Sequence, residues 1–318
     1  MTNQSSAADD KVAVVAVVGA TATGKSDLAV ELALHLDGEV VNADSMQLYR
    51  GMDIGTAKLD QDQRRGVPHH LLDVWDVSEP ASVAAYQQLA RATFTALAER
   101  DTTAVLVGGS GLYVRAALDQ LDFPATDPTV RDRLEEELAE HGAAALHARL
   151  AEVDPAAAIA IQAANGRRIV RALEVVEITG RPFTASLPDH RYAVPAVQVG
   201  LELPRPDLDL RIAERVDVMW ERGLVQEVRR LEGEGLRDGR TASRALGYSH
   251  VLRYLAGEGT EAEARVETVR ATRRFARRQD TWFRRDPRVR WLPSGPSAAL
   301  ADRVADHIRG VAELSNPR

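Results

Sequence analysis

The stretch Gly19-Ala20-Thr21-Ala22-Thr23-Gly24-Lys25-Ser26 constrains this chain more than any other. It fits G-x-x-x-x-G-K-[ST], follows the β-branched apolar run 12–18, and precedes an amphipathic segment carrying Leu28, Leu32, Leu34 and Leu36. Strand, glycine loop and helix in that order form an anion cradle. Loop amides turn inward and the helix N-terminus adds partial positive charge. In such a cradle Lys25 would reach a terminal phosphate and the Ser26 hydroxyl would sit on Mg²⁺. The same unit opens a parallel α/β sheet. A plain glycine turn is the competing reading, and the loop alone does not say which phosphate ester binds.

A chain of 318 residues is long enough for a large α/β core plus an accessory domain. No apolar run reaches membrane-spanning length, and the first ten residues are polar, with no signal-peptide core. They read as a frayed tail, residues 1–10. The absence of cysteine excludes disulfides and Cys-based zinc sites and is compatible with a reducing, cytoplasmic setting. The net charge of −7 means that a nucleic-acid surface has to come from local clusters of arginine.

Beyond the loop helix, residues 39–42 read as a strand ending in Asp44-Ser45-Met46-Gln47-Leu48-Tyr49. Strand ends are where ligands gather in such sheets, which puts Asp44 near the glycine loop. Residues 51–58 are a glycine-containing loop, and Ser82 caps a helix expected over 83–100. A buried strand over 104–107 runs into Gly108-Gly109-Ser110-Gly111. From Asp127 to Gly180 only helical periods appear: one helix opened by Asp127-Pro128 and closed at Gly142, one opened by Asp154-Pro155, and one over 166–179. A strand returns at 197–203. Helices then run from about 207, a long helix covers 261–283, a last strand covers 289–292, and a terminal helix covers 298–314. The expected partition is a core of 11–122 and 196–318 with an all-helical insertion at 123–195.

Asp44 is the candidate general base, since a carboxylate beside a bound phosphate ester can take a proton from an acceptor. A strand-end cap is its bland alternative. The strand 104–107 ends in Gly-Gly-Ser where P-loop NTPases supply an acid for Mg²⁺, which weakens a nucleotide-hydrolysing reading. The Ser110 hydroxyl either meets substrate or caps the next helix. Arg211 and Arg215, one turn apart, are suited to closing over a diphosphate, or to surface salt bridges with Glu214 or Asp217. Arg167, Arg168 and Arg171 form one basic cluster, and Arg270, Arg273, Arg274, Arg277, Arg278, Arg284 and Arg285 another. Two such clusters in an acidic protein favour a polyanion such as folded RNA over a merely solvated face. Tyr248, Trp282 and Phe283 would stack on splayed bases or belong to the core.

Taken together, several motifs resemble the tRNA dimethylallyltransferases, also called tRNA isopentenyltransferases. They are the glycine loop, Asp44-Ser45-Met46-Gln47-Leu48-Tyr49, Gly51-Met52-Asp53-Ile54-Gly55-Thr56-Ala57-Lys58, and Pro68-His69-His70-Leu71-Leu72-Asp73. Gly108-Gly109-Ser110-Gly111-Leu112-Tyr113, Arg171-Ala172-Leu173-Glu174-Val175, Leu246-Gly247-Tyr248 and Arg277-Arg278-Gln279-Asp280-Thr281-Trp282 complete the set. The likeness runs from about residue 12 to 292, and its first four blocks in this order are highly specific.

The resemblance implies a P-loop sheet of the nucleoside triphosphate hydrolase type. It also implies transfer of a dimethylallyl group from dimethylallyl diphosphate to N6 of adenosine 37 in tRNAs reading codons that begin with U. The P-loop, residues Gly19, Ala20, Thr21, Ala22, Thr23, Gly24, Lys25 and Ser26, would hold the donor's diphosphate, with Mg²⁺ on Ser26. Asp44 corresponds to the base that engages the adenine N6, and Lys25 and Ser110 complete the catalytic set. Ser110 stands where the family often has Thr. Residues matching tRNA-facing stretches are Asp44, Ser45, Met46, Gln47, Ser110, Arg131, Arg167, Arg168, Arg171, Arg244, Gly247, Tyr248, Arg277, Arg278, Gln279 and Arg284. Two positions depart from the pattern: Arg167 where Gln is frequent, and Ser249 where Arg usually follows the tyrosine. The implied partners are the tRNA anticodon stem-loop and the diphosphate donor, with a cytoplasmic, monomeric protein and no stable protein partner or membrane. A P-loop kinase of small metabolites and a non-enzymatic RNA-binding module are the rival readings.

Overall fold

A computed structural model describes residues 13–124, 126–183 and 189–315. The expected tail at 1–10 lies outside them. Six strands form one parallel sheet: β1 (Val14–Gly19), β2 (Glu39–Asn42), β3 (His69–His70), β4 (Ala104–Val107), β5 (Ala196–Glu202) and β6 (Val289–Pro293), in the order β3-β2-β4-β1-β5-β6. β1 is buried along its whole length, as its unbroken β-branched run requires of a strand covered on both faces. Helix α1 (Lys25–His35) packs Leu28, Leu32 and Ala33 on one face of the sheet, together with Leu300 and Val304 of α11 (Ser297–Ser315). Because β4 lies between β1 and β2, the loops after these three strands converge at one carboxyl edge.

Helix α2 (Val83–Glu99) starts where Ser82 accepts from the Ala85 amide, and α3 (Gly111–Leu118) follows β4. The chain divides into two compact units, residues 1–119 with 192–318, and residues 120–191.

The smaller unit is helical. α4 (Pro128–Val153) begins at an Asp127 cap and is broken at Gly142, whose φ of 78° no helix interior accommodates. The break falls where the sequence predicts a helix end, but an alanine-rich second helical stretch resumes immediately. α5 (Pro155–Ala160) is capped by Asp154, and α6 (Gly166–Thr179) ends at left-handed Gly180. Leu134, Leu146, Leu150, Ile169 and Leu173 form its core. Glu174 is buried beside that core and takes hydrogen bonds from Arg131 and Arg171. Burial pushes its carboxyl up, but the two arginines outweigh this and hold it below the usual carboxylate range. Glu174→Ala leaves both guanidiniums without their shared anion, and removing one member of a buried pair costs about 3 kcal/mol. A matching loss of stability in denaturant unfolding checks this.

In the larger unit, α7 (Arg205–Glu221), α8 (Leu224–Gly233), α9 (Tyr248–Leu255) and α10 (Glu261–Phe283) follow β5. α10 carries a full capping box, Thr260 with Glu263, and covers the span its periodicity predicts. Among the described residues, no helix is long and apolar enough to cross a membrane.

Candidate active site

The glycine loop leaves β1 at Gly19, whose φ of 128° and approach to the Leu201 carbonyl leave no room for a Cβ. Ala20 and Ala22 pack on Leu208 and Ile212 of α7 and Ala276 of α10, which ties the loop to both helices. Thr23 Oγ1 donates to Ala20 O at 2.9 Å, and Lys25 Nζ donates to the same carbonyl at 2.6 Å. The Thr21 amide donates to Gln279 Oε1 at 2.9 Å, so this amide serves the shape of the loop and does not point at a ligand.

The double glycine after β4 has a steric reason. A Cβ on Gly108 would lie 2.4 Å from the Ala43 backbone, and one on Gly109 would lie 2.2 Å from Gln279 Nε2. Their absence lets the β4 loop slide between the glycine loop and the turn after β2. Gln279 Nε2 donates to Gly109 O at 2.9 Å, so one buried amide clasps both loops.

On the far side of the β4 loop, Asn42 shapes the turn that carries Asp44. Its Oδ1 accepts from the Asp44 amide at 2.8 Å, and its Nδ2 donates to Asp44 O and Leu71 O. Asp44 Oδ1 accepts from the Met46 amide at 2.9 Å; among the described residues Oδ2 has no protein donor. Ser110 Oγ meets the Ser45 amide at 3.2 Å and Ser45 Oγ at 3.1 Å, and its side chain makes no cap bond to α3. The hydroxyl therefore belongs to the Asp44 turn, and the helix-cap reading falls away.

Charge gathers at the same edge. The ammonium of Lys25 is pushed down to about 7, by burial first and then by the Arg215 guanidinium, with Asp44 acting in the opposite sense. Burial likewise lowers Arg215, against the pull of Asp44 and Asp27. Two basic groups and one carboxylate gather around the loop, a charge distribution suited to receiving an anion. Arg211 is exposed, and of the proposed clamp pair only Arg215 contributes to the electrostatics of Lys25. The geometric reason is that α7 turns Leu208 and Ile212 inward, carrying Arg215 with them and Arg211 away.

Two residues expected at an RNA surface are buried instead. Tyr248 has no exposed surface, and its hydroxyl donates to Glu227 at 2.6 Å. Gln279 is 5% exposed, with both ends of its amide used inside the protein. Neither side chain can reach a nucleotide in this conformation. Gly247 is buried with φ of 83°, a turn position before α9. Arg131 and Arg171 are engaged with Glu174 in the smaller unit, while Arg167 and Arg168 are exposed there. Arg284 lies over the Trp291 ring at 4.5 Å and pairs with Glu202 and Asp280. Arg244 is exposed, and a shallow cleft on α10 is lined by Arg277, Arg278, Thr281, Trp282 and Arg285. Trp282 is 37% exposed and lies against the backbone of Gly111, whereas Phe283 is core.

The supporting roles of three residues escape a sequence reading. Lys58, buried, donates to Tyr49 O, Asp53 Oδ1 and Asp73 Oδ1, stapling three of the motif loops together. Glu227 and Gln279 act over long stretches of chain. The one sequence signal for Glu227 is a carboxylate on the apolar stripe of Leu224, Val228 and Leu231.

A phosphate cradle at the switch point of a parallel sheet, with a carboxylate and two cations facing it and no acid at the end of β4, defines a P-loop group-transfer enzyme. A family model described as IPP transferase matches residues 47–286. A tRNA dimethylallyltransferase of Streptomyces avermitilis is 69% identical over 289 residues, covering 91% of this chain and 92% of that one. One from Thermobifida fusca is 70% identical over 285 residues, covering 88% and 89%. The crystal structure of a full-length tRNA isopentenylpyrophosphate transferase from Bacillus halodurans superposes with a TM-score of 0.70 at 40% identity, covering 96% of this chain and 99% of that chain. This chain belongs to the IPP transferase family.

Proposed function

We propose that the site transfers a dimethylallyl group from dimethylallyl diphosphate to N6 of adenosine 37 of tRNA, with the P-loop holding the leaving group. The observation that carries this is the cation pair Lys25 and Arg215 beside the loop, with Asp44 across from it. N6 attacks C1 of the donor, the C1–O bond breaks, and diphosphate leaves. The proton of N6 goes to the Asp44 carboxylate, whose Oδ2 is uncommitted among the described residues. Ser110 and Ser45 hold the Asp44 turn, and Asn42 fixes its backbone. Lys25 and Arg215 stabilise charge that builds on the departing diphosphate.

The donor set suits Mg²⁺. Ser26, in the first turn of α1 directly after Gly24-Lys25, supplies one hydroxyl at the cradle. Mg²⁺ keeps most of its shell as water and substrate phosphate, so a single protein hydroxyl fits. When bound, it would neutralise diphosphate charge. On the RNA side, the exposed Arg167 and Arg168 of the smaller unit and, separately, Arg244, Arg277, Arg278 and Trp282 of the larger one are offered to the anticodon stem-loop. A specificity for tRNAs reading codons that begin with U, a cytoplasmic setting and a monomeric state belong to the same reading.

The state of Lys25 gives the donor a pH dependence. Below pH 7 the ammonium is already charged, and binding takes up no proton there. Above pH 7 the free site holds a neutral amine, and an arriving diphosphate recharges it. Donor affinity therefore falls by about tenfold per pH unit above 7, until the raised pKa of the complex is reached. Calorimetry in buffers of different ionisation enthalpy reads this as proton uptake approaching one at alkaline pH. Lys25→Arg, which does not titrate, removes that uptake. The test of the reaction itself is label transfer from dimethylallyl diphosphate to unmodified tRNA, followed by nucleoside analysis at position 37.

A further inference from the structure

We propose that Glu227 is a positioning residue for this reaction, fixing Arg215 through the backbone of residues 53–56. The inference rests on the reading that the donor's diphosphate lies against Lys25 and Arg215. Glu227 sits on the buried face of α8 among Leu224, Val228 and Leu231. Such a carboxylate is stable only if donors surround it. Four do: the amides of Asp53, Ile54 and Gly55 at 3.2, 2.8 and 3.2 Å, and the Tyr248 hydroxyl at 2.6 Å. The Tyr248 ring lies directly on Gly55, where a Cβ would come within 2.4 Å of it. Three successive amides are thereby aimed at one anion, and the chain beyond them has a single course.

The next carbonyl is the one that matters. Thr56 O accepts from Gln47 Nε2 at 3.1 Å and from Arg215 Nη2 at 3.4 Å. Among the described residues it is the one hydrogen-bond anchor of the Arg215 guanidinium. Gln47 belongs to the Asp44 turn. One buried carboxylate on α8 thus sets a carbonyl that holds both a cation of the cradle and the turn bearing the base. This accounts for two motifs, Gly51-Met52-Asp53-Ile54-Gly55-Thr56-Ala57-Lys58 and Leu246-Gly247-Tyr248, as parts of one brace.

Glu227→Gln tests it, because the amide offers one acceptor and turns an NH₂ against the remaining donors. The brace shifts and Arg215 loses its anchor. The KM for dimethylallyl diphosphate is expected to rise about tenfold, with a smaller change in kcat and none in the KM for tRNA. A second readout separates positioning from plain stability. The charged groups that face Lys25 are Arg215 and Asp44, and those that face Arg215 are Lys25, Asp44 and Asp27. Loosening Arg215 removes a repulsion from Lys25, so the pH at which donor affinity begins to fall moves up in Glu227→Gln. Tyr248→Phe, which takes away one donor of four, shifts both in the same direction by less, and serves if Glu227→Gln does not fold. Leu231→Ala, a packing change on the same helix, lowers thermal stability and leaves both where they are.

A Glu227→Gln protein, or Tyr248→Phe in its place, that loses only thermal stability and keeps the wild-type KM and pH profile overturns the role of Glu227. A wild type whose donor affinity shows no break near pH 7 overturns the reading of the cradle itself, which keeps the two failures distinct.

Discussion

Replacing Asp44 by alanine lowers turnover by about three orders of magnitude and leaves tRNA affinity nearly unchanged. The carboxylate stands at the end of β2, in a turn that Asn42 and Ser110 hold from two sides. Its loss takes away the proton acceptor while the exposed arginines that would meet RNA stay in place. Asp44→Asn is the sharper version. An amide oxygen can still accept from the Met46 amide, so the turn survives, but an uncharged group cannot take the proton. The expected result is near-normal folding, near-normal tRNA binding, and a turnover as low as that of the alanine variant. Single-turnover kinetics, with enzyme in excess over tRNA and donor saturating, measures this step without product release. A carboxamide variant with wild-type turnover would remove Asp44 from the base role.

Lys25→Ala lowers kcat/KM for the diphosphate donor by about two to three orders of magnitude, with tRNA binding unchanged. Lys25 Nζ donates to Ala20 O of the loop at 2.6 Å. A diphosphate bound in the loop is expected to take over that bond. Arg215→Ala also weakens the donor, but where Lys25→Ala removes the alkaline fall in affinity, Arg215→Ala displaces it. Losing Arg215 relieves Lys25 of a repulsion, so the alkaline fall in affinity begins at higher pH than in the wild type. Two variants that lower the same affinity but differ in this shift would establish that both cations face the same ligand.

Local chemistry made much of the molecule legible from sequence. Caps at Ser82, Asp127 and Asp154 mark helix starts because each side chain satisfies its own neighbouring amides. The glycine loop and the strand before it announce a parallel sheet, and the helical block after Asp127 is readable from its period alone. What escaped depends on residues far apart in the chain. Gln279 and Thr21 meet across 258 positions, and no spacing rule connects them. The motif around Gln279 looked like a basic face; its arginines are exposed as expected, but the glutamine between them points inward to clasp two loops. Tyr248, left open between stacking on a base and belonging to the core, is settled as core by a contact just as remote. An aromatic beside glycine suits base stacking and burial alike, and only Gly55 on another loop decides for burial. Arg211 and Arg215 share a helix face by spacing, yet the packing of Leu208 and Ile212 on the glycine loop gives the cradle to one of them.

In the reading proposed above, the P-loop holds a prenyl diphosphate as leaving group and the acceptor is an RNA base. One measurement bears on it most directly. The protein is incubated with unmodified tRNA and dimethylallyl diphosphate labelled in the prenyl group, and in parallel with ATP labelled in the γ-phosphate. Label is expected in tRNA from the prenyl donor only, recovered as the N6-modified nucleoside at position 37, and abolished by Lys25→Ala and Asp44→Asn. Phosphate transferred from ATP to a small acceptor, or tRNA retained by the protein with no label entering it, would contradict the account.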